Sequence, residues 1–239
     1  MESQFIRKET IHRLVGDIRN IKRSPLHSEG IYYEHDDEDM LKGYAMVIGP
    51  KDTPYENGLY FFDLKFPCDY PHSPPTLTYL TNDGLTRFNP NLYRSGKVCL
   101  SLLNTWRGEQ WTSCQSITSI LLTLVTIFNN NPLLNEPGIL DTCKDIPIYN
   151  RILEYKTYDI SICDLVSRIN ENKLRKCELC FKDELVNHIS IKHNDMLEQV
   201  DKMICGYDSG ILCTSLYQMK INVDYKNLYT KLKNINIKN

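Results

Sequence analysis

An α+β fold is predicted for this 239-residue chain: an N-terminal helix, a four-stranded antiparallel meander, an ordered cysteine loop, a buried central helix and C-terminal helices. Three observations carry that prediction. Apolar residues recur at helical spacing near both ends of the chain. Four short β-rich runs follow one another with only turns or a proline-rich loop between them. Short connections of that kind join antiparallel neighbours and leave no room for a crossover helix. Finally, the stretch around Cys99 shows neither helical nor strand periodicity, so a specific loop is expected there.

Taken in order, residues 10–23, "TIHRLVGDIRNIKR", put Ile11, Leu14, Val15, Ile18 and Ile21 on one helical stripe. Arg13, Arg19, Lys22 and Arg23 are left for the exposed side. Ser24-Pro25 ends the helix, because proline disfavours helical geometry in the residue before it. "IYYEHD", "KGYAMVIGP" and "LYFFDLKFP" then read as strands bounded by turn chemistry such as Asn57-Gly58. In the third, Tyr60, Phe62, Leu64 and Phe66 alternate onto one face, while Asp63 and Lys65 point away. "PTLTYLT" makes the fourth. Before it, "FPCDYPHSPP" is too proline-rich for a central strand and predicts a rigid extended loop.

The stretch "RFNPNLYRSGKVCLSLL", Arg87 to Leu103, sets one thiol in a constrained setting. Asn89 and Asn91 flank Pro90, a Tyr-Arg-Ser-Gly turn follows, and Val98-Cys99-Leu100 begins an apolar run. Packing alone is one use for a buried cysteine. Beyond Trp111, "SITSILLTLVTIF" places Ile117, Ile120, Leu121, Leu124 and Phe128 at helical spacing. Nearly every other position there is apolar or small, which predicts a buried helix. "NNNPLLNEPG" stops it. Another helix is predicted over roughly 147–168, and two more in the C-terminal part, the last carrying Tyr225, Leu228, Leu232 and Ile235. A core domain over 1–168 and a helical extension over 169–239 are expected.

Composition narrows the function. With 28 basic against 30 acidic residues, the chain lacks the basic excess of a nucleic-acid binder. The start, "MESQFIRKETIHRLVGDIR", has no apolar signal core, and nothing resembles a membrane span. An odd nine cysteines without a secretion signal point to a reducing cytosol or nucleus. Cys177, Cys180, His188 and His193 suggest a zinc finger, but the gap of seven between Cys180 and His188 is short of the usual dozen or so. Phe181, Leu185, Ile189 and Leu197 lie along one helical face of the same segment, so no metal site is expected.

This order of elements resembles the ubiquitin-conjugating enzymes. Three strings carry the likeness: "IGPKDTPYENGLYFFDLKFPCDYPHSPP", "RFNPNLYRSGKVCLSLLNTW" and "WTSCQSITSILLTLVTIFNNNPLLNEPG". They match the family's G-P-x-x-(S/T)-P-(Y/F)-x-x-G turn, its Y-P-x-x-P-P loop, and its H-P-N motif with a cysteine eight residues beyond the Asn. Here Asn91 and Cys99 are eight apart. The family's His is Asn89 in this chain. The N-P-N, "NTW" and "NEPG" strings are similar to the Z-type branch and, more distantly, to the large hybrid conjugating enzyme–ligases. Weaker likeness continues into the C-terminal helices.

The resemblance implies that Cys99 receives ubiquitin, or a ubiquitin-like modifier, as a thioester from an activating enzyme. It then passes the modifier to a lysine of a protein substrate, directly or with a ligase, and no cofactor is involved. A thiol suits this because transthiolation needs a nucleophile that is also a good leaving group. Asn91 is expected to stabilise the tetrahedral oxyanion or to order the loop, with Pro90 and Gly96 shaping its backbone. Glu136 is the expected carboxylate near the attacking amine, and Ser101 replaces an Asp found in several lysine-directed members. Asn89 is expected to take over the hydrogen-bonding role of the His, so Asn89→His should be tolerated.

Partner surfaces follow from the same resemblance. The first helix, with Arg13, Arg19 and Lys22, matches the docking site for the activating enzyme. Where ligases usually grip an aromatic and a Pro-Ala pair, this chain has His72, Ser113 and Cys114, so atypical ligase contacts are expected. Tyr70-Pro71 stands where the family commonly has a cis peptide. A monomer is expected, with no nucleic-acid or membrane partner. The rival reading is a non-catalytic, ubiquitin-binding adaptor of the same fold, but such variants lack the cysteine. A cysteine hydrolase would need an activating His, and none lies within 25 residues of Cys99.

Overall fold

The computed structural model describes residues 5–237; the ends of the two expected stretches, 1–4 and 238–239, lie outside the described residues. Helix α1 (Lys8–Arg23) buries Thr10, Leu14, Asp17 and Ile21. Val15 is 39% exposed, which corrects its place on the apolar stripe. The buried line follows i, i+4, i+7, i+11, and Val15 is turned about 100° from Leu14. Asp17 takes the inward position because Tyr70 Oη donates to its Oδ2 at 2.5 Å and Arg13 Nε to its Oδ1 at 3.0 Å. A buried carboxylate is tolerable only with such partners.

Strands β1 (Ile31–His35), β2 (Lys42–Ile48), β3 (Leu59–Lys65) and β4 (Thr76–Tyr79) form the antiparallel meander in the order 1-2-3-4. Its inner row runs Tyr33, Ala45, Phe62, Tyr79 across the four strands. That face packs on Phe128, whose ring centroid lies 4.9 Å from that of Tyr60 and 6.4 Å from that of Phe62. Asp63 and Lys65 point to the opposite face, as expected, half-buried and exposed respectively. On the same face Met46 and its partner Phe61 are 0% and 1% exposed. The cover is C-terminal: α5 (Lys176–Leu179) packs on β3, Arg175 Nη1 bonds Leu80 O at 2.6 Å, and Lys176 pairs with Asp36 at 2.8 Å. Where both faces are covered, as at Met46 and Phe61, strict alternation is no longer needed, whereas β4 keeps it.

Helix α2 (Ile117–Val125) is capped reciprocally by Ser116 and Ser119 and buries Ile117, Ile120, Leu121 and Leu124 completely. The helix predicted over 147–168 is a rod made of α3 (Asp145–Tyr158), a π-helical turn (Asp159–Asp164) and α4 (Leu165–Asn170). At its widened turn Ser161 Oγ accepts from Leu59 N at 3.2 Å, and Thr157 Oγ1 meets Tyr60 Oη at 2.8 Å, so the irregular turn docks onto β3.

Two long C-terminal helices are present, α6 (Lys182–Gly206) and α7 (Tyr225–Lys233). Between them stands a hairpin that the sequence did not signal, β5 (Gly210–Cys213) paired with β6 (Lys220–Val223). Its strands are four residues long, and its loop lacks the Asn-Gly type of dipeptide that betrays a hairpin. The cysteines and histidines weighed as zinc ligands go separate ways. Cys177 is buried and Cys180 exposed. His188 Nε2 meets Asn57 O at 3.1 Å, and His193 Nε2 meets Leu232 O at 2.8 Å. Among the described residues no helix is long and apolar enough to cross a membrane.

Candidate active site

The thiol loop is a tight fold-back built from its own sequence. Tyr93 N bonds Lys97 O and Gly96 N bonds Tyr93 O, both at 2.9 Å, while Leu92 bridges Val98. Gly96 has φ +88°, and an added Cβ would lie 3.0 Å from Tyr79 O, so only glycine fits without strain. The fold-back brings Cys99 opposite Asn91. Cys99 N donates to Asn91 O at 2.9 Å, and Asn91 Nδ2 donates to Cys99 O at 2.7 Å. Cys99 is 2% and Asn91 4% exposed. Asn91 Oδ1, also buried, finds no hydrogen-bond partner among the described residues.

Asn89, fully buried, uses its amide four ways. Nδ2 donates to Tyr55 Oη at 2.9 Å and to Ile127 O at 2.8 Å; Oδ1 accepts from Asn91 N at 3.0 Å and Asn135 Nδ2 at 3.3 Å. This changes the expectation for Asn89→His. A neutral imidazole offers one donor and one acceptor, so it cannot replace an amide that donates twice and accepts twice. Arg87 braces the same motif: Nε bonds Asn89 O at 3.1 Å and Nη2 bonds Pro90 O at 2.6 Å, with the guanidinium 3.4 Å from the centroid of the Tyr93 ring. Carbonyls and an aromatic face substitute for a carboxylate around this buried cation.

Glu136 follows the short 3₁₀ turn Pro132–Asn135 and is half-buried. Its Oε2 accepts from Tyr217 Oη at 2.5 Å. Burial and the neighbouring carboxylate push the Tyr217 hydroxyl well above the usual phenol range, so it stays a donor. On the other side of Cys99, Ser101–Leu103 form a 3₁₀ turn, and Asn104–Gln110 run largely exposed. Trp106, Arg107 and Pro137 line a groove of about 430 Å³ there with Asn104 and Thr105.

The residues expected to dock partners lie on α1 or on loops that α1 touches through Arg13 and Glu9. Arg13 reaches across to the loop after Trp111, donating to Ser113 O at 2.6 Å and Gln115 O at 2.5 Å. His72 Nε2 lies 3.3 Å from Glu9 Oε2 of the same helix. Arg19 and Lys22 are exposed on α1, as are Ser113 and Cys114 on their loop. Tyr70-Pro71 is cis, and Trp111 Nε1 bonds Pro71 O at 2.7 Å. Arg13 is half-buried and also ties α1 to the Ser113–Gln115 loop. Sequence reasoning missed Arg87, Asn135 and Tyr217. Arg87 borders the N-P-N motif and was open to notice; nothing local marks the other two.

A buried thiol on a braced loop beside a buried amide, carried on a meander flanked by helices, is the arrangement that the family resemblance leads one to expect. The ubiquitin-conjugating enzyme model matches residues 13–153, and the chain belongs to that family. It is similar to ubiquitin-conjugating enzyme E2 Z of Danio rerio, 33% identical over 231 residues, covering 95% of this chain and 68% of that protein. With E2 Z of Homo sapiens it shares 40% identity over 157 residues, 64% of this chain and 44% of the relative. The human dual E2 ubiquitin-conjugating enzyme/E3 ubiquitin-protein ligase BIRC6 matches at 36% over 188 residues, 75% of this chain and 4% of its own length.

Proposed function

We propose that the chain takes ubiquitin, or a ubiquitin-like modifier, from an activating enzyme onto Cys99 and transfers it to a substrate lysine, directly or with a ligase. The observation that supports this most is the reciprocal bonding of Asn91 and Cys99, which holds a thiol beside an amide inside a braced loop. In the first exchange the Cys99 thiolate attacks the modifier's thioester carbonyl. A new C–S bond forms, and the activating enzyme's thiolate leaves. In the second a neutral lysine amine attacks, a C–N bond forms, the bond to Cys99 breaks, and the amine gives up a proton.

One N–H of Asn91 goes to Cys99 O, which leaves the second to meet the oxyanion as charge develops. Glu136 carries one oxygen bonded by Tyr217 and offers the other to the amine. At 2% exposure Cys99 needs its cover to open, and we propose the exposed Asn104–Gln110 segment on its C-terminal side as the part that moves. We assign residues 1–168 to the conjugating core and 169–239 to an extension packed on it, since one hydrophobic core runs through both. Arg19 and Lys22 receive the activating enzyme on a helix that Arg13 holds in place, and a ligase meets His72, Ser113 and Cys114.

Charging with purified activating enzymes, ATP and a panel of modifiers tests this. A reductant-sensitive adduct is expected that disappears in Cys99→Ala and becomes a stable oxyester in Cys99→Ser. An adduct that survives Cys99→Ala would sink the assignment.

A further inference from the structure

We infer that Tyr217, in the loop of the β5–β6 hairpin, is a positioning residue for transfer to lysine, holding the Glu136 carboxylate at the rim of the thiol loop. This rests on the function proposed above. Three contacts place the residue. Its Oη donates to Glu136 Oε2 at 2.5 Å, its carbonyl accepts from Arg94 Nη2 at 2.7 Å, and its ring centroid lies 5.1 Å from the Arg87 guanidinium. Arg87 and Arg94 are the two arginines of the thiol loop, so the hairpin grips that loop on both sides of the Asn-Pro-Asn motif. Met219 adds a fourth contact, its Sδ accepting from Arg87 N at 3.3 Å.

The hairpin loop is built to present this side chain. Leu216 N is tied to Asp145 Oδ2 at 2.7 Å, and Thr214 N to Met219 O at 3.1 Å. Tyr217 and Gln218 both take left-handed backbone, φ 60° and 48°, which L-residues avoid. Two consecutive non-glycine residues in that region persist only where surrounding contacts over-determine them, and such spots concentrate at functional sites. The ring and the carbonyl already anchor the hairpin. The hydroxyl is the one group whose bond goes to the candidate general base. By occupying one carboxylate oxygen it fixes the rotation of the other, and an oriented acceptor is worth more to an attacking amine than a freely turning one.

The test uses the full chain charged on Cys99 and measures single-turnover discharge against lysine concentration for wild type, Tyr217→Phe, Glu136→Gln and the double variant. Tyr217→Phe keeps the ring and is expected to lower the saturating discharge rate roughly tenfold, with half-saturation, charging and melting midpoint close to wild type. In the Glu136→Gln background it should add no further loss, because the carboxylate it orients is gone. Unchanged discharge would overturn the assignment, as would losses that multiply in the double variant or a loss shared equally by charging and discharge. A wild-type chain that forms no Cys99 adduct with any modifier would overturn the proposed function and this inference together. Normal wild-type turnover with an inert Tyr217→Phe would overturn this inference alone.

Discussion

The two flanks of Cys99 are built in opposite ways. On the N-terminal flank, Arg87, Asn89 and Asn91 are buried, and their side chains bond backbone within their own loop. On the C-terminal flank, Asn104–Gln110 are exposed apart from half-buried Trp106, and a few bonds hold them, such as Asn104 Oδ1 to Trp111 N at 2.9 Å. A nucleophile that must meet a carbonyl in one geometry gains from a rigid support. A thiol that must also admit two macromolecular partners in turn needs a side that opens cheaply. Under the function proposed above, geometry falls to one flank and access to the other.

The largest expected effect lies at the node of the rigid flank. Asn89→Ala should cost about 2–4 kcal/mol, since buried groups in the thiol loop lose their partners. Asn89→His should cost less than Ala but still about 1–3 kcal/mol, because two of the four bonds have no replacement. Urea denaturation measures both, and a histidine variant as stable as wild type would break the comparison at its strongest point.

Next comes Asn91→Ala. Its amide bonds Cys99 O, so a stability loss of about 1 kcal/mol is expected. Charging should be retained, whereas discharge to lysine falls on the order of 10²-fold as the oxyanion donor is lost. Equal discharge by variant and wild type would leave Asn91 a loop-ordering residue only.

Smaller effects should separate structure from docking on α1. Arg13→Ala removes the tie between α1 and the Ser113–Gln115 loop and should lower stability by about 1–2 kcal/mol. Arg19→Ala, on an exposed residue, should leave the melting midpoint alone and raise only the concentration of activating enzyme needed for charging. The smallest effect on stability belongs to the loose flank. Trp106→Ala should cost under about 1 kcal/mol, given its partial exposure, yet change the charging rate. A Trp106 variant that unfolds the domain would show that this flank is as structural as the other.

Much of this molecule was legible without coordinates. Periodicity placed α1, the meander and α2, and the proline-rich stretch and the Asn91–Cys99 spacing marked the thiol loop. All of these depend on residues close together in the chain, where side-chain period and turn chemistry act directly. Cys99, Asn91 and Glu136 were singled out by the family resemblance, not by periodicity.

Only tertiary structure decided what those residues touch. Val15 faces outward because Asp17 found Tyr70, 53 positions away. The centre of the sheet's outer face, at Met46 and Phe61, is buried although the strands carry Asp63 and Lys65 beside it. Asn89 spends its amide oxygen twice because Asn135, 46 positions on, joins Asn91 N there. Glu136 is oriented by Tyr217 from 81 positions away, on a hairpin whose strands are too short to announce themselves. A sequence pattern records the average environment of a position; hydrogen bonds are directional and settled pair by pair, so their partners emerge only when the chain has closed on itself.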